Sequence, residues 1–143
     1  MDRVSRVVRS QVMASVRSKG TRLEEQLAAK FIQERLGGFE RNPVGIEGRP
    51  DFVFRKRKVV VFVDSCFWHG CRWHCRMPAT NQRYWDAKIR RNRERDKQVT
   101  RRLRQNNWIV VRIWEHSLKE ERGMAAALEK IKAKLKIKQA DLM

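Results

Sequence analysis

The sequence predicts a small α/β domain in which helices cover a mixed β-sheet. Two apolar runs flank a basic turn at residues 55–58, as the strands of a hairpin do, and a third apolar run spans residues 108–114. Helical spacing of apolar side chains occupies the segments before, between and after these runs. The order helix, strands, helix, strand, helix indicates layered packing around one core, which suits a length of 143 residues.

The N-terminal part divides into an arm and a first helix. Residues 1–20 carry five basic side chains with little apolar periodicity, which predicts an arm that becomes ordered against a polyanion; a frayed terminus is the alternative. Thr21 can cap a helix that runs to about Leu36, with Glu24 as its capping-box acid. Gly37-Gly38 is expected to end this helix.

A connecting segment and a hairpin follow. Residues 39–50 are rich in glycine and proline, which predicts a connection that can open with a short strand. The hairpin strands are the apolar runs 52–54 and 59–63. Asp51 precedes the first strand and Asp64 follows the second, so both carboxyl groups should lie at the open end of the hairpin.

The second half of the chain predicts a loop, a helix, a strand and a helix. Residues 66–80 lose periodicity and gather Cys, His and Trp, as a loop organised by a metal would. A strongly basic helix is expected from residue 81 to about 106, followed by a strand over residues 108–114. The last helix should begin at a Ser117 cap and run toward Lys136.

The net charge identifies the class of partner. Lys and Arg number 34 against 16 acidic residues, which gives a formal net charge of +18. This excess indicates a polyanion, and nucleic acid is the leading candidate. No apolar run approaches transmembrane length and the N-terminus has no signal-peptide pattern, so we expect a cytoplasmic protein without a membrane partner.

The paired aspartates suggest a catalytic cation site. A carboxylate at the start of an apolar strand gains from burial only if it meets a cation, although Asp51 could also be a plain turn acid. Its pairing with Asp64 favours bound Mg²⁺, and acids beside cationic walls suit phosphodiester hydrolysis. Glu24 is either a third acid of this set or only a capping residue.

A second cluster has the residue types of a structural zinc site. Three cysteines lie within ten positions of each other beside two histidines, which is metal-ligand spacing; incidental thiols are the alternative. A later histidine can join them if the strand over 108–114 pairs beside the hairpin. The predicted ligands of one Zn²⁺ are Cys66, Cys71, His74 and His116, with Cys75 as the alternative to His74.

The acid pattern resembles the restriction-endonuclease-like superfamily. A helix acid, then Pro-Asp, then an acid ending the next strand is the arrangement of that group, and the resemblance implies a three-layer core with a mixed central sheet flanked by helices. Two residues after the second acid that superfamily typically carries lysine, whereas this chain has Cys66. Another group must then help to activate water, and His69 is the candidate because imidazole titrates near neutrality.

A larger set of spaced motifs resembles the very-short-patch repair endonucleases. These motifs are Arg9-Ser10, Met13, Glu24, Gly48 to Val53, Phe62 to His69, Pro78-Ala79-Thr80, Trp85, Lys88-Ile89, Asn92, Arg95-Asp96 and Trp114-Glu115. The resemblance implies a DNA endonuclease that nicks one strand beside a thymine–guanine mismatch, left when methylated cytosine deaminates. Residues 1–20 would then be a DNA-contacting arm, and residues 21–143 a single nuclease domain containing the zinc loop.

The resemblance also implies roles for the acids. Asp51 would ligate Mg²⁺ directly, with the main-chain carbonyl of Val63 as another ligand. Glu24 and Asp64 would act on waters bound to the metal. Two Mg²⁺ ions could stabilise the attacking water and the leaving 3′ oxygen, so that the product carries a 5′ phosphate.

The general base implied by the family is His69. Asp96 would orient the catalytic group beside it through a hydrogen bond. The chain departs from the family pattern at Val63-Asp64, where that pattern has Thr-His, and at His116, where it has a zinc-binding cysteine.

The family further implies how mismatched DNA is held. Rigid apolar wedges unstack a base step, most easily where pairing is already poor. The implied wedges are Phe67, Trp68 and Trp85 from the major-groove side and Met13 from the opposite groove. Lys88 and Arg95 are expected to contact phosphates.

The predicted function is therefore Mg²⁺-dependent nicking of mismatched double-stranded DNA by a monomer, with mismatch-repair proteins as candidate accessory partners. Two alternatives remain open at this point. One is a zinc-containing DNA-binding module without activity. The other is a restriction or junction nuclease on the same scaffold, which would usually need a dimer to cut two strands.

Overall fold

The computed structural model describes residues 22–65 and 81–136, which form a four-stranded sheet with helices on both faces. The elements in chain order are α1 (22–33), β1 (Phe39–Arg41), β2 (Phe52–Phe54), β3 (Val59–Asp64), α2 (Gln82–Gln105), β4 (Ile109–Trp114), α3 (Glu115–Leu118) and α4 (Glu121–Leu135). Predictions for residues 1–21 and 66–80, including the arm, the Thr21 cap and the zinc loop, lie outside the described residues.

The sheet is mixed, in the strand order β1-β2-β3-β4. Strands β2 and β3 form the predicted antiparallel hairpin, with Phe52 opposite Val61, and a single 3₁₀ turn at Arg55–Arg57 connects them. Strand β4 runs parallel to β3, with Val60 opposite Val110, and α2 makes the crossover between them. A parallel pair requires such a long connection, which explains why the basic helix lies between these two strands.

Alternation along the strands separates two cores on opposite faces of the sheet. On one face, α1 and α4 pack against the sheet through Leu27, Phe31, Phe52, Val61, Val111, Leu128 and Ile131. On the other face, α2 packs through Val53, Val60, Phe62, Val99, Leu103 and Val110. The result is three layers, helix, sheet and helix, which confirms the predicted α/β class and the mixed central sheet flanked by helices.

The first helix ends earlier than the sequence predicted. It stops at residue 33 instead of about Leu36, because Arg35 takes a left-handed conformation (φ 59°). The Leu36 N–H then donates to the Phe31 carbonyl at 2.8 Å, which closes the helix end before the glycine pair is reached.

The last predicted helix is two helices, so the Ser117 cap is wrong. The chain becomes extended at Glu120 (φ −111°, ψ 143°), and Ser117 lies inside the short helix α3. Gly123 permits the close approach of the two, since a Cβ there would lie 1.9 Å from the Ser117 carbonyl oxygen. The break allows Leu118 and Met124 to reach the same core.

Candidate active site

The candidate active site is a cleft at the open end of the β2–β3 hairpin, bounded on one side by α2. Its volume is about 610 Å³. The lining residues are Glu47, Gly48, Arg49, Asp51, Phe62, Val63, Asp64, Arg95, Asp96, Val99, Arg102 and Arg112. Acidic and basic side chains therefore share one concave surface. Asp51 and Asp64 both lie in it, at the open end of the hairpin, as the sequence predicts.

The position of Asp51 is fixed by the backbone on both sides. Its N–H donates to the Val61 carbonyl at 2.9 Å, and the preceding residue, Pro50, is buried. The Asp51 carboxyl oxygen Oδ2 accepts a hydrogen bond from the Val63 N–H at 2.6 Å. This hydrogen bond crosses the hairpin and holds the Asp51 carboxyl next to Val63, the neighbour of Asp64 in the sequence.

Glu24 on α1 lies beside Asp51, and their carboxyl groups share a hydrogen bond. Burial, this hydrogen bond and the charge of Glu24 raise the pKa of Asp51 from 3.8 to about 8, with a smaller contribution from Asp64. The Val63 N–H lowers the pKa, but by less. Without a cation, Asp51 is therefore mainly protonated at neutral pH, and a positive charge would be needed to ionise it.

Asp64 is buried and forms an ion pair with Arg112 of β4. The Arg112 Nη1 donates to Asp64 at 2.9 Å, and its Nε donates to the Thr100 hydroxyl of α2 at 2.8 Å. The guanidinium carbon also lies 4.1 Å from the centre of the Phe62 ring. This arginine links both parallel strands and α2 beneath the cleft.

Sequence reasoning missed Arg112. It is the charged residue within the otherwise apolar strand β4, and the strand period of two places it on the same face as Val110, toward α2. That alternation was a usable signal, because a buried charge usually requires a partner. The partner could not be read from one strand, since it depends on the parallel register of β3 with β4.

Two more arginines line the cleft and are held by neighbouring residues. Arg95 donates to the Asn92 side-chain oxygen at 2.8 Å, and Arg102 forms an ion pair with Glu47. The predicted phosphate contact of Arg95 would lie at the cleft, because this side chain is part of the cleft lining.

The other predicted residues in the described part, apart from His116, all lie on α2. Asp96 lines the cleft, and its main-chain carbonyl lies 3.5 Å from the Arg112 Nη2. Trp85 is 1% exposed, so it would have to become accessible before it could contact a base. Lys88 is half-buried on α2. The roles predicted for these side chains stay predictions.

Several predicted site residues lie outside the described residues, so their roles also stay predictions. These are Met13, Cys66, Phe67, Trp68, His69, Cys71, His74 and Cys75. Of the zinc candidates only His116 is described; it lies on α3 with its ring stacked 6.4 Å from that of Trp114.

The described residues contain an acid pair that suits a cation but no complete metal-ligand set. Within residues 22–65 and 81–136, no three His, Cys, Asp or Glu side chains are grouped closely enough to hold a metal ion. The groups that could contribute are the Asp51 and Glu24 carboxyls and the Val63 carbonyl, all oxygen donors of the kind that Mg²⁺ prefers. None of the helices in the described part has the length and apolar character that a bilayer crossing requires.

Comparison with known proteins gives one consistent group of relatives. A family model described as DNA mismatch endonuclease Vsr matches residues 1–75. Type II nicking enzyme V.NmeDIP from Neisseria meningitidis serogroup C is 40% identical over 141 residues, covering 97% of this chain and 93% of the relative. Type II nicking enzyme V.NaeI from Lentzea aerocolonigenes is 43% identical, covering 76% and 68%. DNA mismatch endonuclease Vsr from Escherichia coli is 34% identical, covering 80% and 73%.

Proposed function

The chain belongs to the Vsr family of DNA endonucleases and nicking enzymes, and from this premise we propose that it nicks one strand of duplex DNA beside a thymine–guanine mismatch. As a family member it is a nuclease, which displaces the alternative of a DNA-binding module without activity. The finer parts of the proposal are the mismatch specificity and the dependence on Mg²⁺.

One observation carries the metal proposal: Asp51, a half-buried carboxyl that lines the cleft of a strongly cationic chain, is hydrogen-bonded to a second carboxyl, Glu24. Asp51 binds a proton at neutral pH only because burial and Glu24 disfavour its negative charge. A divalent cation would compensate the same charge and take the place of that proton. The net charge of +18 attracts the phosphate backbone of DNA to the chain, and four arginines line the cleft itself.

The proposed roles combine the contacts described for Asp51 and Asp64 with the roles that the family resemblance implies. Asp51 would hold Mg²⁺, with the Val63 carbonyl and Glu24 beside it, and the bound ion would supply Lewis-acid stabilisation of negative charge on the phosphate. Asp64 is fixed by Arg112 at the edge of this set. His69 would take the proton of the attacking water, oriented by Asp96, as the bond from phosphorus to the 3′ oxygen breaks.

The proposed DNA contacts lie on the arm, the zinc loop and α2. Phe67, Trp68 and Trp85 would act as wedges on one side of the mismatch and Met13 on the other. A single structural Zn²⁺ would order the loop through Cys66, Cys71, His74 (or Cys75) and His116. Retention of one zinc per chain in Cys75→Ala would support His74 as the ligand, and loss would support Cys75.

The deciding experiment uses labelled duplexes that carry each single mismatch, with Mg²⁺ or EDTA. We expect nicking of the thymine–guanine duplex alone, only with Mg²⁺, and by a protein that light scattering shows to be monomeric. Asp51→Ala should abolish nicking but leave DNA binding intact. Asp86→Ala, which removes an exposed carboxyl from α2, is the matched control. Equal cutting of paired DNA, or a normal rate for Asp51→Ala, would contradict the proposal.

A further inference from the structure

We propose that Arg49 binds a phosphate of the strand that enters the cleft. The inference deepens the proposed nuclease function and rests on it. Arg49 lies two residues before Asp51, lines the same cleft and is exposed.

The charges in the cleft single out this arginine. Four arginines line the cleft, and three of them are held by protein groups: Arg112 by Asp64, Arg102 by Glu47 and Arg95 by Asn92. Within residues 22–65 and 81–136, the Arg49 guanidinium makes no hydrogen bond or ion pair. A phosphate approaching Asp51 needs a cation with donors to spare, and Arg49 uses none of its guanidinium N–H groups on the described residues.

The loop that carries Arg49 is fastened at several points. The Arg49 N–H donates to the Ile46 carbonyl at 3.3 Å, and Ile46 packs against the core under α2. Gly48 lies so close to α2 that a Cβ would be 2.4 Å from the Val99 Cγ1. The Glu47–Arg102 ion pair ties the loop to the same helix. The side chain is thus presented from a defined position, which reduces the entropy lost on binding a phosphate.

The backbone conformation of Arg49 determines which substitution can test the proposal. Its φ of 52° lies in the left-handed region, which glycine adopts with less strain than any residue with a Cβ. Arginine at this position is therefore less favourable for the backbone than glycine would be. Arg35 has a similar φ of 59° at the other end of the sheet, so the proposal rests on the position of Arg49 in the cleft, and the shared conformation serves to match the control.

The test compares Arg49→Asn with Arg35→Asn in the full-length protein. Asparagine tolerates the left-handed conformation, so the backbone should persist. Arg35 is a matched control, because it is also an exposed arginine with a left-handed φ of 59° and lies at the other end of the sheet, beside Phe54. In single-turnover nicking we expect Arg49→Asn to be slower by roughly 10- to 100-fold, the effect of losing a charge-assisted hydrogen bond, and Arg35→Asn to match the wild type.

A binding measurement separates this inference from the proposed function. Duplexes in which one phosphate at a time is replaced by a neutral methylphosphonate are bound in EDTA, where no cutting is needed. At one position of the nicked strand, the methylphosphonate should weaken DNA binding by the wild type and by Arg35→Asn. The same replacement should not further weaken binding by Arg49→Asn, whose affinity for the unmodified duplex is already reduced. Sensitivity of Arg49→Asn to every position that affects the wild type would overturn the inference, even if its nicking were slow. Failure of the wild type to prefer mismatched duplex would instead contradict the proposed function.

Discussion

Replacing Asp51 with Asn should stabilise the metal-free protein increasingly as the pH rises. The pKa of Asp51 is 3.8 in the unfolded reference and about 8 in the folded chain. Between these values the folded chain retains one proton that the unfolded chain has released. The free energy of unfolding of the wild type therefore falls by at most about 1.4 kcal/mol per pH unit across this window. The protonated Asp51 carboxyl makes its full contribution to the stability of the folded chain below pH 3.8. This contribution is lost as the pH rises to about 8.

Asparagine keeps the shape of the side chain and cannot ionise. The full shift corresponds to an upper limit of about 6 kcal/mol, and solvent screening at this half-buried carboxyl should reduce the observed gain to about 2–3 kcal/mol. The same variant should not nick DNA, because it lacks the proposed metal ligand.

Urea unfolding in EDTA, followed by circular dichroism from about pH 5 to about pH 8, measures this effect. The advantage of Asp51→Asn over the wild type should increase with each pH step. Asp86→Asn is the control, since it makes the same change at a carboxyl that is exposed on α2. A constant advantage of Asp51→Asn across the range would refute the reasoning, because it would mean that Asp51 ionises equally in both states.

Three further predictions concern packing and charge. Arg112→Met should lower the free energy of unfolding by about 3 kcal/mol, because it leaves Asp64 buried without its cation, and adding Asp64→Asn should recover most of the loss; a urea-unfolding double-mutant cycle measures the coupling. Gly48→Ala should cost about 2 kcal/mol and slow nicking, since its Cβ would overlap Val99 and its φ is +81°; wild-type stability and rate would contradict this. Gly123→Ala should cost at least about 3 kcal/mol in thermal unfolding, because its Cβ would meet a backbone carbonyl of α3, and an unchanged melting temperature would count against that contact.

Local patterns predicted the sheet and the acid positions well. The alternation of apolar residues around the turn at 55–58 located β2 and β3, and with them Asp51 and Asp64 at the open end. Glu24 was predicted either as a capping acid or as a third acid of the site, and the structure brings it to Asp51. The strand positions were accessible because strand period and turn chemistry act over a few residues, whereas the choice between the two roles of Glu24 needed the fold.

Features that depend on contacts between distant elements were not predicted. The pairing of Arg112 with Asp64 needs the register between parallel strands that α2 separates in sequence. The break between α3 and α4 follows from the approach of Gly123 to Ser117, which no helical periodicity reveals. The early end of α1 at residue 33 likewise depends on a left-handed arginine, a conformation for which the sequence carries no strong signal.

The hydrogen bond between the Asp51 and Glu24 carboxyls keeps a proton at the proposed metal site. If the proposed divalent cation binds there it must displace that proton, so its uptake would release a proton and its apparent affinity would weaken by up to tenfold for each pH unit below about 8. Acidification would therefore empty the site of metal while leaving the cationic surface able to hold DNA, and the chain would remain on its substrate in an idle form.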